Sequence, residues 1–161
     1  MLDTLRQLSR RVRQHHAIEH ATIHILSERF SHRRFSGYSD PFGFTIHGDV
    51  TEPALRRAVS DALLRLQAGE SDLARHPNCG TNLVTTATLV TLAALLPSRR
   101  RNVLERFAMS LVLVMPALLL GGRLGMRLQG YTTLAEVTDR WLVDLYPVQL
   151  GNLQLYRVVF E

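Results

Sequence analysis

Lysine is absent from this chain of 161 residues, and all 19 basic residues are arginine. Without lysine the protein cannot form a lysine Schiff base or use a lysine nucleophile, and it cannot contain the GK[ST] phosphate-binding loop. Cysteine is nearly absent as well, because Cys79 is the single cysteine of the sequence. No disulfide can form within the chain, which favours a reducing compartment.

Aromatic residues are scarce at 7%, although the net charge is +5 and the sequence pI is about 10.3. Proteins that bind single-stranded nucleic acids combine basic residues with aromatic side chains that stack on bases. Neither that pattern nor a known DNA or RNA motif accompanies the arginines here. We therefore expect no nucleic-acid partner, and arginines that face solvent or lipid headgroups explain the charge more simply.

The strongest chemical pattern that is present is H-x-x-E-H, formed by His16, Glu19 and His20 within QHHAIEHATIHIL. Helical spacing places His16 and His20 one turn apart on one face, so two imidazoles can bind the same metal ion. Glu19 falls on the apolar stripe of this helix and is predicted to be buried, where a carboxylate needs a donor, a cation or a metal. The pattern suits zinc or another divalent transition metal, with Glu19 accepting a proton from bound water.

Two further ligand types, His76 and Cys79, occur in the loop sequence ARHPNCGTNL, ahead of a helix that Thr81 or Asn82 is predicted to cap. H-x-x-C is a usual spacing for two metal ligands. In one interpretation His76 or Cys79 completes a site with His16 and His20, and His24 is another possible third ligand. In the other interpretation the loop is a structural turn, and Cys79 is a small buried apolar residue.

The remaining periodicities predict a mostly helical α+β fold, in which a small sheet is packed by helices. Alternating residues predict a strand over 42–48, and helical spacing predicts a helix over 51–69. Residues 31–41 are predicted to form a loop. Helical spacing over 134–145 predicts a helix, and the segment LQLYRVVF predicts a final strand that pairs with the strand at 42–48.

An apolar segment at 82–126 predicts a hydrophobic helical hairpin, inserted in a single domain that spans 1–161. Its two uninterrupted runs are shorter than the ~20 residues that an upright membrane-spanning helix needs. A membrane hairpin and a buried core hairpin are therefore both allowed. We expect membrane association, with membrane lipid as a partner and the metal site on the cytoplasmic side. We expect no signal peptide, since the first thirty residues lack a continuous apolar stretch.

The order H-x-x-E-H resembles the inverzincin metallopeptidases, whose two histidines bind zinc while the glutamate between them is the general base. By position, the resemblance implies that His16 and His20 are ligands and that Glu19 is catalytic. That family takes its third ligand from a downstream glutamate, and the glutamates available here lie in no counterpart motif: Glu52, Glu70, Glu105 and Glu136.

A longer resemblance is to an uncharacterised bacterial family. That family shares H-A-x-E-H-A-T-x-H, G-F-x-I-x-G-D-V and H-P-N-C-G-T-N ahead of apolar helices. The resemblance implies that the three motifs form one unit, and it implies no established activity.

Three functions follow as hypotheses. The first is a membrane-associated zinc-dependent hydrolase, with peptides among its candidate substrates, in which His16, His20 and a loop residue bind the metal. The second makes Cys79 a nucleophile with a nearby histidine as its base. The third is a non-catalytic membrane scaffold or partner-binding protein, whose His/Glu/Cys cluster binds a structural metal or satisfies itself through hydrogen bonds.

Overall fold

The computed structural model describes residues 1–99, 102–151 and 153–161. Within these ranges the chain forms helices α1 to α4, strands β1 to β4 and two short 3-10 helices. This composition confirms the mostly helical α+β prediction. In chain order the elements are α1 (Leu2–Arg29), β1 (Ser36–Asp40), β2 (Gly43–His47), α2 (Glu52–Gln67), the first 3-10 helix (Ser71–Ala74), α3 (Gly80–Leu95), the second 3-10 helix (Leu96–Arg99), α4 (Val103–Thr132), β3 (Leu142–Leu150) and β4 (Leu153–Phe160).

The four strands form one antiparallel sheet in the order β1-β2-β4-β3. Phe44 of β2 lies opposite Val158 of β4, and Ile46 lies opposite Tyr156. All four side chains are buried, because alternate residues of paired strands point to the same face of a sheet. The predicted pairing of the 42–48 segment with the C-terminal strand is therefore confirmed.

Helices α1 and α2 contact each other and the sheet, and together they supply most of the core. In α2 the buried residues recur at intervals of three and four, as in Leu55, Ala58, Val59 and Ala62. This spacing turns one apolar stripe of the helix toward the core and leaves its arginines in solvent.

Two sequence predictions about secondary structure are wrong. Residues 36–40, predicted as part of a loop, form the edge strand β1, because pairing with β2 overrides the low strand preference of the segment SGYSD. Residues 134–145, predicted as a helix, are irregular up to the start of β3 at Leu142. Here the nine-residue strand β3 pairs with β4, and that long-range pairing outweighs the local helical spacing.

The chain divides into two compact units. The first unit comprises residues 1–76 and 131–161, and it contains the sheet with α1 and α2. The second unit comprises residues 77–130 and contains α3 and most of α4.

Small residues let α3 and α4 approach each other closely in the second unit. A Cβ atom added to Gly125 would lie 2.6 Å from the Cα atom of Asn82, and one added to Gly121 would lie 2.8 Å from the Cα atom of Thr86. Gly121 and Gly125 form a G-x-x-x-G pattern, which permits such backbone approach between helices. The buried Gln129 side chain also donates a hydrogen bond to Oδ1 of Asn82, at 2.9 Å.

Helix α4 is long and apolar enough to cross a membrane, by length and composition. Its most apolar window has a mean hydropathy of 2.0, and none of that window is buried. Helix α3 is also apolar but is shorter, at 16 residues.

Candidate metal centre

A row of histidines lies along α1 in the first unit. The ring centroids of His16 and His20 are 4.3 Å apart, because a four-residue spacing stacks these side chains on one face of the helix. His76, which follows the first 3-10 helix, lies beside the row. Its centroid is 5.9 Å from that of His20 and 4.6 Å from that of His24. The structure thus places His20 beside both His16 and His76, and His24 beside His76.

Backbone carbonyl groups orient the imidazoles of His16 and His20. Nδ1 of His20 lies 2.8 Å from the carbonyl oxygen of Ala74, and Nδ1 of His16 lies 3.0 Å from that of Thr132. A carbonyl oxygen only accepts hydrogen bonds, so Nδ1 is the donor in both rings and the neutral imidazole carries its lone pair on Nε2. Histidines that bind metals are commonly held by this kind of contact, which fixes both the tautomer and the ring orientation.

His24 has the opposite tautomer. Its Nε2 atom lies 2.7 Å from the carbonyl oxygen of Arg75, so Nε2 is the donor and the lone pair is on Nδ1. His24 therefore presents a different ring atom from the one that His16 and His20 present.

The surroundings of His76 favour its neutral form. Burial lowers its pKa to about 4, and the neighbouring His24 and His20 add to the effect, since a positive charge on one ring disfavours a second. An imidazole must be neutral to bind a metal through nitrogen. This condition is met by His76 near neutral pH.

Glu19 is 5% exposed, which confirms its predicted burial. The hydroxyl group of Ser39 donates a hydrogen bond of 2.5 Å to its Oε2 atom. A Cβ atom at Gly37 would lie 2.7 Å from Oε1 of Glu19, so only glycine lets the carboxylate approach β1 this closely. The sequence alone does not identify Ser39 and Gly37 as site residues, because their segment is predicted to be a loop and no motif marks them.

Cys79 belongs to the second unit, where it is buried. It is the N-cap of α3, and its Sγ atom accepts a hydrogen bond from the backbone N–H of Thr81 at 3.4 Å. The cap predicted at Thr81 or Asn82 therefore lies at Cys79. Asn82 instead donates a side-chain hydrogen bond of 2.6 Å to the carbonyl oxygen of Pro77, which holds the turn before the helix.

Three of the downstream glutamates take part in ion pairs with arginines at the surface. Glu70 pairs with Arg65 at 2.6 Å and Glu52 pairs with Arg56 at 3.3 Å. The carboxylate of Glu136 lies 3.9 Å from Arg10. These contacts give the glutamates a structural role of their own, and they lend no support to a third ligand of the inverzincin kind.

His15, next to the predicted ligands, has a structural role that the sequence did not reveal. It is fully buried, its Nδ1 atom lies 2.8 Å from the carbonyl oxygen of Asp40, and its ring stacks on Phe160. Burial lowers its pKa, against the opposing effect of the Asp40 contact. His15 thereby ties α1 to the sheet, which holds the neighbouring histidine row in place.

Comparison with known proteins identifies a family without an assigned activity. The model of the family described as "Domain of unknown function (DUF6391)" matches residues 11–145. An uncharacterized protein of Picosynechococcus sp. is 42% identical over 87 residues, which cover 48% of this chain and 42% of the relative. The match thus spans less than half the length of that relative, and no solved structure matches the chain. Because the family model matches most of the sequence, the chain belongs to the DUF6391 family.

Proposed function

We propose that the protein is a membrane-associated, zinc-dependent hydrolase. The observation that carries this proposal is the pair of imidazoles, His16 and His20, which lie one helical turn apart and are both oriented by backbone carbonyls. Together with Cys79 they offer two nitrogens and one sulfur, a donor set that could hold a metal ion. Imidazole and thiolate ligands are those that zinc prefers in proteins.

The third ligand comes from the loop at 76–79. His76 lies beside His20 and stays neutral near pH 7 because of its burial. Cys79 follows three residues later, so the chain keeps the two Cα atoms within about 11 Å of each other. Its sulfur lies at the N-terminus of α3, where it accepts a hydrogen bond from the backbone N–H of Thr81. Two histidines and one loop ligand leave a fourth position for water, as catalytic zinc sites require.

Glu19 is the proposed general base. Zinc lowers the pKa of a bound water to about 7, so a nearby carboxylate can accept the proton near neutral pH. Ser39 restrains the carboxylate through its hydrogen bond, and Gly37 leaves room for it beside β1. Hydrolysis of an acyl bond, with peptides as candidate substrates, is the reaction class that such a water would serve.

A non-catalytic membrane scaffold with a structural metal is the second candidate. In this candidate His76 joins His16, His20 and Cys79, and the four zinc-type ligands leave no open position. Glu19 would then be a structural residue satisfied by Ser39. The remaining hypothesis, a Cys79 nucleophile, is disfavoured because a nucleophile must reach its substrate and Cys79 is buried.

Elemental analysis of the full chain purified in detergent tests the metal site. We expect stoichiometric zinc in the wild type, and its loss in both His20→Ala and Cys79→Ala. The matched control is His32→Ala, which changes an exposed histidine outside the row and should retain the metal. A wild-type protein free of zinc and other transition metals would overturn the proposal.

Cobalt substitution then separates the two candidates. A Cys79 ligand should give a thiolate-to-cobalt charge-transfer band that Cys79→Ser lacks. A small hydroxamate should shift the visible bands if one position is open, and it should leave them unchanged if four protein ligands close the site.

In the hydrolase, Glu19→Gln should keep the metal and lose peptide or ester turnover. Full turnover in that variant would exclude Glu19 as the base.

A further inference from the structure

The first half of α1 extends beyond the core of the first unit. The buried residues of this helix begin at Gln14 and end at Leu26. Before Gln14, Leu2 and Leu5 are 70% and 57% exposed, whereas Leu8 and Val12 are half-buried. The apolar stripe of residues 2–13 is therefore uncovered at its N-terminal end.

The exposed stripe borders a shallow groove. Leu2, Leu5 and Ser9 line it together with Leu134, which follows α4, and the cavity volume is about 470 Å³. Arginines line the same groove, so an apolar floor adjoins guanidinium groups. The arginines are Arg6, Arg10 and Arg13.

Residues 2–13 carry a net positive charge, which two neighbouring acidic residues partly offset. Residues 2–13 contain four arginines and one acidic residue, Asp3. Among the residues that the structure describes, two acidic residues outside the segment contact Arg10: Asp139 at 2.6 Å and Glu136 at 3.9 Å. Arg6 is highly exposed and lies 3.9 Å from the equally exposed Asp3, and Arg11 is exposed on the flank of the helix.

We propose that residues 2–13 bind the surface of an anionic bilayer, with Leu2 and Leu5 at the acyl boundary and the exposed Arg6 and Arg11 at lipid phosphates. A basic amphipathic helix lies in a membrane interface for these two reasons together, burial of its apolar face and attraction of its cations to anionic lipids. The exposed arginines beside the apolar stripe favour an anionic lipid surface over an uncharged one. This inference rests on the membrane association in the proposed function, and it is independent of the metal.

Hydrogen exchange of the full chain in nanodiscs tests the inference. Two nanodisc preparations are compared, one of phosphatidylcholine alone and one containing phosphatidylglycerol. We expect the amides of residues 2–13 to exchange more slowly in the anionic nanodiscs. The double variant Arg6→Gln/Arg11→Gln should lose this difference, since each arginine near an anionic surface changes binding by about fivefold. The matched control Arg34→Gln/Arg57→Gln removes the same charge from exposed sites elsewhere and should keep it.

The amides of α4 provide an internal reference in the same experiment. Slow exchange of α4 in both nanodisc preparations reports membrane association itself, so its absence would count against the proposed function. Slow exchange of α4 with no lipid-dependent change at residues 2–13 would overturn the inference alone. Protection of residues 2–13 that rises with protein concentration in both preparations would also overturn it, because it would indicate a second copy of the chain as the partner.

Discussion

The two units of this chain place the same kinds of residue in opposite surroundings. In the first unit Phe44, Ile46 and Leu55 are fully buried, whereas in the second unit Leu104 and Phe107 are more than half exposed. Burial of apolar surface stabilises the first unit in water. The uncovered apolar side chains of α4 instead require another covering, which a bilayer would provide. Composition already separates the two units, because the apolar segment 82–126 lies in the second, and the structure adds that many of its apolar side chains are uncovered.

Two phenylalanines allow the comparison to be tested directly, and here we expect the largest effect. Phe44→Ala should lower the free energy of unfolding of the first unit by about 3–5 kcal/mol, through lost burial and the cavity left behind. Phe107→Ala, which removes the same atoms from α4, should change stability in detergent by no more than about 0.5 kcal/mol. Urea unfolding followed by fluorescence of Trp141, the single tryptophan of the chain, reports on the first unit.

Helix content, followed by circular dichroism, provides the second readout for α4. An equally large loss of stability in both variants would show that Phe107 is covered by protein, and the contrast between the units would then be wrong.

Close contact between α3 and α4 predicts the next largest effect. Gly125→Ala should destabilise the second unit by about 1–3 kcal/mol, because the new methyl group would meet the backbone of Asn82 and push the helices apart. Gly122→Ala is the matched control, since no heavy atom of the described residues lies within 4 Å of its added Cβ atom. The control should be neutral or stabilise the helix by up to about 1 kcal/mol.

The measurement for this pair is loss of helix during titration with a denaturing detergent. If Gly125→Ala and Gly122→Ala behave alike, backbone approach at the G-x-x-x-G pattern does not hold the helices together.

The fold could be predicted where local pattern and long-range contacts agree. The helical spacing of apolar residues predicts α1. A run of strand-forming residues predicts β4, which pairs with β2. The failures occur where pairing overrides local preference. The polar segment SGYSD becomes β1 because β2 offers it a partner, and the leucines near β3 follow helical spacing although that segment pairs with β4.

In the candidate site, too, local spacing predicts some features and long-range contacts determine the others. The spacing of His16 and His20 predicts their proximity on one helix, and the apolar stripe predicts the burial of Glu19. The contacts that orient these groups could not be predicted. They come from Thr132, Ala74 and Ser39, which are distant in sequence and contribute a backbone carbonyl or a hydroxyl that any segment could offer.

Acid should affect the two units differently, and this is the smallest expected effect. Residues 77–130 contain one acidic residue, Glu105, whereas the first unit contains carboxylates that take part in its fold. Asp139 accepts hydrogen bonds from Arg10, Gln14 and Arg140. Partial burial alone would raise the pKa of Asp139, but these donors outweigh it and hold the pKa far below its ordinary value of 3.8. The pKa of Asp40 is lowered in the same way, since Arg157 and the N–H of Phe42 outweigh the effect of burial.

A carboxyl group with a lowered pKa in the folded state stabilises that state above its ordinary pKa, and the contribution is lost as the pH falls toward the folded value. The first unit should therefore lose stability as the pH falls below about 4, and Asp139→Asn should flatten this dependence. His15 and His76 act in the same direction at higher pH, because burial lowers their pKa values below 6.5 and the unfolded chain takes up protons first. Unfolding of metal-free protein followed by Trp141 fluorescence measures the first unit, and hydrogen exchange of α4 measures the second. Equal acid sensitivity of α4 would mean that the stability of the second unit depends on the charges of the first.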